Sequence, residues 1–194
     1  RKFQFQKQLF MQYGLSDEWE LDAQIVHQDN YAKQSDRKSH STGFGDSYLF
    51  LRDCLLEEKS LWPHLAGVFQ LKIPSGKYQK LDPDKLGTDS MGASSGGGSY
   101  DFGLGVNMTK KLRPFVLHAD AIYSFPKERK IDGLKTEYGR YLNYDFGLEY
   151  FLPKGFNLMV ELNGFIQGDK RQEGEKLPAT DIYSLTFAPG IGWS

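Results

Sequence analysis

The stretch Tyr100-Asp101-Phe102-Gly103-Leu104-Gly105-Val106-Asn107-Met108-Thr109 carries the fold in its alternation. Tyr100, Phe102, Leu104, Val106 and Met108 fall on one face, and Asp101, Gly103, Gly105, Asn107 and Thr109 on the other. That is the period-two pattern of a strand with one apolar face. The same period recurs in both directions. Towards the C-terminus, Leu142, Tyr144, Phe146, Leu148 and Tyr150 oppose Asn143, Asp145, Gly147 and Glu149. Phe156, Leu158, Val160, Leu162 and Ile166 then oppose Asn157, Glu161 and Asn163, and Tyr183, Leu185, Phe187, Ile191 and Trp193 oppose Ser184, Thr186, Ala188, Gly190 and Gly192. Towards the N-terminus, Trp19, Leu21, Ala23 and Ile25 stand against Glu18, Glu20, Asp22, Gln24 and Gln28. Phe3, Phe5, Leu9, Met11 and Tyr13 stand against Gln4, Gln6, Gln8 and Gln12. Less regular strands at 44–56, 61–73 and 115–125 bring the total to roughly nine.

The connections alternate as the strands do. Short ones fall near 14–17, 57–60, 110–113 and 153–155; long polar ones fall at 29–42, 75–98, 126–139 and 168–181. Strands of about 9–11 residues joined by alternately short and long loops describe a transmembrane barrel, with tight periplasmic turns and long outer loops. A soluble β-sandwich or barrel is the competing architecture, and it would turn its apolar face inward. The polar face here is rich in Gly, Asn, Gln and carboxylates, and Tyr and Trp cluster near strand ends as in membrane-interface belts. The expectation is therefore an all-β, antiparallel, up-and-down transmembrane β-barrel forming a single domain over residues 1–194. Strict alternation puts Lys7, His27 and Arg140 on the lipid side. His27 and Arg140 lie near loop ends and can snorkel; Lys7 is read as the mark of a bulge.

Composition removes other classes. The 194 residues carry 24 Lys and Arg against 25 Asp and Glu, a net charge of −1, which argues against a nucleic-acid partner. Mean hydropathy is −0.54, and no run approaches the roughly 18 apolar residues of a membrane-spanning helix. The single cysteine, Cys54, excludes a disulfide scaffold and a multi-cysteine metal site. Twenty-one glycines and 14% aromatic residues suit an all-β chain. No cofactor motif is visible. Gly96-Gly97-Gly98 lacks the Lys-Ser/Thr and following helix of a phosphate loop. Asp82-Pro83-Asp84-Lys85 lacks calcium-loop spacing, and no metal site is expected.

Several stretches resemble one known family. Gly43-Phe44-Gly45-Asp46 leads into Leu49-Phe50-Leu51-Arg52; Lys72-Ile73-Pro74-Ser75-Gly76 closes a strand; Leu86-Gly87-Thr88 precedes Ser99-Tyr100-Asp101-Phe102-Gly103-Leu104-Gly105. Gly147-Leu148-Glu149-Tyr150, Leu158-Met159-Val160-Glu161-Leu162-Asn163-Gly164 and Ala188-Pro189-Gly190-Ile191 follow. In this order they resemble the bacterial outer-membrane family labelled "MetA-pathway of phenol degradation", over about residues 43–193. The resemblance implies an outer-membrane barrel that passes apolar or aromatic compounds. It also implies a strand before residue 3 and further strand sequence after Trp193.

Pairing the strands turns the inner face into neighbours. Centring the hairpin between 43 and 74 on Lys59 sets Asp46 opposite Lys72, Tyr48 opposite Gln70, Phe50 opposite Val68, Arg52 opposite Ala66 and Cys54 opposite His64. Asp46–Lys72 becomes a lumenal ion pair near the outer mouth, and Arg52, deeper, needs a carboxylate from a neighbouring strand. Such charges either cross-link strands or form a constriction that selects solutes. The candidate solute path comprises Asp46, Arg52, Lys72, Asp101, His118, Asp120, Asp145, Glu149 and Glu161. His118 and Asp120 are close enough along one strand to touch, but Ser124 is about 20 Å from His118, too far for a triad. Cys54 and His64 lack an orienting carboxylate, so their pairing is read as adjacency rather than catalysis. Asp145, Glu149 and Glu161 are expected to crowd into an acidic wall.

The functional expectation is a passive channel or transporter for small apolar or aromatic solutes in the bacterial outer membrane, not an enzyme. Its partners would be outer-membrane lipid and an unidentified small solute. The alternatives are a structural or partner-binding barrel that uses its long loops, and a barrel hydrolase. Strands 3–13 and 182–193 both descend, so nine antiparallel strands do not close. The complete wall is expected to need about ten to twelve, from a longer chain or from another chain.

Overall fold

The computed structural model describes residues 2–34, 37–76, 98–131 and 133–193. Nine long strands follow one another in a single antiparallel meander: β1 (Lys2–Gly14), β2 (Trp19–Gln34), β4 (Ser47–Leu56), β5 (His64–Ile73), β6 (Asp101–Leu112), β7 (Phe115–Pro126), β10 (Tyr141–Phe151), β11 (Phe156–Gln167) and β14 (Ile182–Trp193). Strand β3 (Arg37–Phe44) pairs with the far half of β2. The predicted strands and their short turns are therefore present. The meander is curled: Gln6 of β1 and Asn143 and Asp145 of β10 line one cavity. β1 and β14 are the two edges of the sheet path.

Three expectations about the connections need correction. The polar segment 29–42 is not a loop: β2 continues to Gln34 and β3 returns, with Gln28↔Gly43 through Gln34↔Arg37 paired. Backbone pairing between two polar strands replaces the apolar signal there. Segments 126–139 and 168–181 pair with each other, forming a second sheet of β8 (Arg129–Ile131), β9 (Leu134–Glu137), β12 (Arg171–Gln172) and β13 (Glu175–Lys176). And β1–β2 runs in unbroken register through Lys7↔His27, so Lys7 marks no bulge; its ammonium lies 5.7 Å from the Phe5 ring instead. Asp82–Lys85, Leu86–Thr88 and most of the Ser/Gly run from Ala93 lie outside the described residues.

The polarity of the wall separates the two candidate architectures. Its outer face leaves large apolar side chains bare: Leu104 is 61% exposed, Phe187 63% and Ile191 76%. On the inner face Asp22, Asp101 and Ser124 are 0%, 1% and 0% exposed. A soluble protein buries the first set and hydrates the second; a barrel wall with lipid outside does the reverse. Aromatic side chains gather at both ends of the strands. Phe115 and Tyr150 pack at 5.0 Å near the short turns, where the Trp193 indole donates to the Lys154 carbonyl at 3.2 Å. Tyr123 and Phe125 meet edge-to-face at 5.0 Å at the other end, where the Arg140 guanidinium stands 5.4 Å from the Phe125 ring. No described helix is long and apolar enough to cross a membrane.

Glycines let the curled wall pack. A Cβ on Gly103 would meet Ser124 Oγ and Ile122 Cγ2 at 2.9 Å, so its absence lets β5 and β7 close over β6. On the outer face the Tyr144 ring covers Gly164, its direct cross-strand partner, shielding backbone that a glycine leaves bare.

Candidate functional site

Three adjoining cavities of about 470, 400 and 280 Å³ lie along the lumen. Gln6, Val26, Tyr48 and Asn143 are shared by the first and second, and Asp120 and Asp145 by the second and third. Polar side chains reach all three because most inward positions of these period-two strands carry polar or small residues, with Val26, Phe50, Val68, Ile122 and Phe165 interspersed among them.

At the end nearest the long connections, Lys72 is the centre of a buried network. Its ammonium pairs closely with Asp101 and lies 3.7 Å from Asp46. Asp101 also accepts from the Ser99 hydroxyl at 2.7 Å and from the Tyr141 hydroxyl at 3.0 Å. Register makes this possible: Tyr48↔Lys72 and Lys72↔Asp101 are direct partners. Tyr141 pairs with Ser124 and Ser124 with Gly103, one inward position away from Asp101. Gln70 donates to Ser124 Oγ at 3.4 Å across the glycine gap.

The β4–β5 hairpin is centred on residue 60 rather than 59, so partners are displaced by two: Phe50 faces Gln70, Arg52 faces Val68 and Cys54 faces Ala66. The turn uses residues 57–63, and a register shift between Cys54 and Leu56 absorbs the difference. A shift of two keeps each side chain on its face. The Asp46–Lys72 contact therefore survives as a diagonal one, with Asp101 as the nearer partner that hairpin arithmetic missed. Cys54 Sγ and His64 Nε2 likewise meet diagonally, at 3.5 Å.

Deeper in the lumen Arg52 finds its carboxylates on β2. It bonds Glu20 at 3.0 Å and pairs closely with Asp22. Glu20 is directly opposite Arg52 in the β2–β4 ladder, a pairing that needed the β2 register. Asp120 and Asp145 face each other across β7 and β10, and Glu161 flanks Asp145. His118 does not turn to Asp120. Its Nδ1 lies 3.2 Å from Thr109 Oγ1 and its Nε2 3.9 Å from Glu149. The acidic wall thus contains Asp120, Asp145 and Glu161, with Glu149 drawn to His118. No group of three or more His, Cys, Asp or Glu among the described residues is arranged to hold a metal ion.

An inside-out antiparallel wall around a charged, cavity-bearing lumen defines the class: an outer-membrane-type β-barrel. The chain belongs to the family described as "Putative MetA-pathway of phenol degradation", whose model matches residues 10–194. In fold it is similar to the crystal structure of an outer membrane channel from Pseudomonas putida F1, with a TM-score of 0.64 and 16% sequence identity. The match covers 87% of this chain and 62% of that one, so the chain spans less than two thirds of the channel's length. No curated protein matches it.

Proposed function

We propose that the chain forms the wall of a passive channel for small aromatic or apolar solutes in the bacterial outer membrane. The short turns then face the periplasm and the long connections the outside. The inversion of polarity carries this: apolar side chains bare outside, ionic networks buried inside. The lining residues that neighbouring cavities share support a path. The Tyr48, Phe50, Tyr141 and Phe165 rings beside the upper and middle cavities offer a surface on which a flat solute stacks. Asp46, Lys72 and Asp101 constrict the upper end, Arg52 the middle, and His118, Asp120, Asp145, Glu149 and Glu161 the lower. Transport, rather than hydrolysis, also fits the placement of His118 on Thr109 and Glu149 while Ser124 sits with Gln70.

The test is permeation by the full-length protein in liposomes. Swelling in a small aromatic solute and a measurable single-channel conductance are expected. Arg52→Gln should raise cation preference, because it leaves the acidic wall unopposed. A sealed, non-conducting barrel would overturn the proposal.

A further inference from the structure

A second groove, of about 650 Å³, lies outside the lumen, where the loop sheet overhangs the wall. Its lower part is made by Tyr123, Leu142 and Ile166, which belong to the outer faces of β7, β10 and β11. Its upper part carries Arg140, Arg171 and Lys176. We infer that this groove holds the phosphorylated headgroup of an anionic lipid from the surrounding leaflet; the inference rests on the membrane placement proposed above.

The cations are arranged by backbone pairing. Arg171 sits between Glu137 and Lys176, its direct partners on β9 and β13, so the three form a row across the loop sheet. Two acids, Glu137 and Asp169, also line the groove. Asp169 is already engaged: it takes the Lys176 ammonium at 2.7 Å and the N–H groups of Thr180 and Asp181 at 3.1 Å each. Those donors, Lys176 first, hold its carboxyl below the ordinary aspartate range. Arg140 and Arg171 form no ion pair with a carboxylate among the described residues. Arg140 instead rests near the outward-facing Phe125 ring, an apolar support for a guanidinium at interface depth.

Both halves of the groove constrain its occupant. A guanidinium matches phosphate oxygens in bidentate geometry, so the head is anionic. Tyr123, Leu142 and Ile166 continue directly into the bare apolar wall, so the ligand carries acyl chains downward along it. A soluble anion would leave the lower half unused, and a zwitterionic lipid sets its own cation beside the phosphate and so neutralises the arginines less well.

The experiment titrates the detergent-solubilised full-length protein with phosphorylated lipopolysaccharide, its dephosphorylated form and phosphatidylcholine, reading bound lipid by native mass spectrometry. The wild type should bind the phosphorylated lipid selectively. The double variant Arg140→Ala/Arg171→Ala should lose about thirtyfold in affinity, the loss of two interfacial cations. Lys130→Ala/Lys135→Ala removes two cations from the same loop sheet but outside the groove, and should bind as the wild type does. Unchanged binding by the arginine variant, equal loss in both variants, or equal binding of the dephosphorylated lipid would each overturn the inference. Lost lipid selectivity in a barrel that still conducts overturns this inference alone; a chain that never enters a bilayer overturns the membrane placement with it.

Discussion

Two ionic clusters in the same lumen have the same charge count and different chemistry. Around Lys72, one cation meets Asp46 and Asp101, and hydroxyls from Ser99 and Tyr141 complete Asp101. Around Arg52, one cation meets Glu20 and Asp22, yet both Asp22 oxygens and Arg52 Nε have no hydrogen bond of good geometry. Their settings differ too: the Lys72 side chain is 10% exposed and that of Arg52 28%. Buried charge is stabilising only when its remaining donors and acceptors are met. The upper cluster therefore acts as a strut that ties β5, β6 and β10 to Asp46, the residue just before β4. The middle one is a more exposed cation that faces the acidic wall of Asp120 and Asp145.

The sharpest way to break this comparison is Lys72→Met. It leaves Asp101 and Asp46 buried without their cation and should cost about 3–5 kcal/mol, seen as a lower urea midpoint in micelles. A loss under 1 kcal/mol would make the strut an ornament. Asp101→Asn should follow, at roughly 2–3 kcal/mol, because an amide NH2 faces donors that a carboxylate accepted. Tyr141→Phe deletes one hydrogen bond to the same carboxylate and should cost about 1.5–2 kcal/mol, read from the temperature at which the folded band is lost on a gel. Asp22→Asn tests the other side. It neutralises one partner of Arg52 while Glu20 still holds the guanidinium, and should cost about 1 kcal/mol. If it matches Asp101→Asn, the two clusters are equivalent.

The smallest effect lies outside the lumen, in the β4–β5 turn. Glu58 accepts the Lys111 N–H at 2.7 Å and has Lys110 at 3.6 Å. The Lys111 N–H above all holds its carboxyl below the ordinary glutamate range. A depressed folded value means the contribution is full above the unfolded carboxyl's titration range and is lost as pH falls through the folded one. Acidification should therefore destabilise the wild type slightly more than Glu58→Gln. Identical pH profiles would remove the turn from the account.

Strand existence, the two faces and the short turns were legible in the residues, because one wall strand buries or exposes alternate side chains whatever its neighbours are. Tyr100 to Thr109 alone shows it. The strands of the polar segments were not legible: Gln28 to Gln34 and Arg37 to Phe44 pair through backbone groups, which every sequence carries. The small loop sheet was hidden for the same reason, since Arg171 meets Glu137 only after two distant loops are brought together.

The inner-face residues were readable as a set but not as contacts. Parity alone placed Asp46, Arg52, Lys72, Asp101, His118, Asp120, Asp145, Glu149 and Glu161 on one side, and a two-residue error in the hairpin left that placement intact. Partner choice needed the third and fourth strands. Asp101 takes Lys72 from β5 and Tyr141 from β10, Glu20 takes Arg52 from across the β2–β4 ladder, and His118 leaves Asp120 for Glu149. A periodic sequence determines which way each side chain points, because the pleat is local. Which side chain it meets depends on register, curl and the gaps left by glycines such as Gly103, and only the assembled sheet decides those.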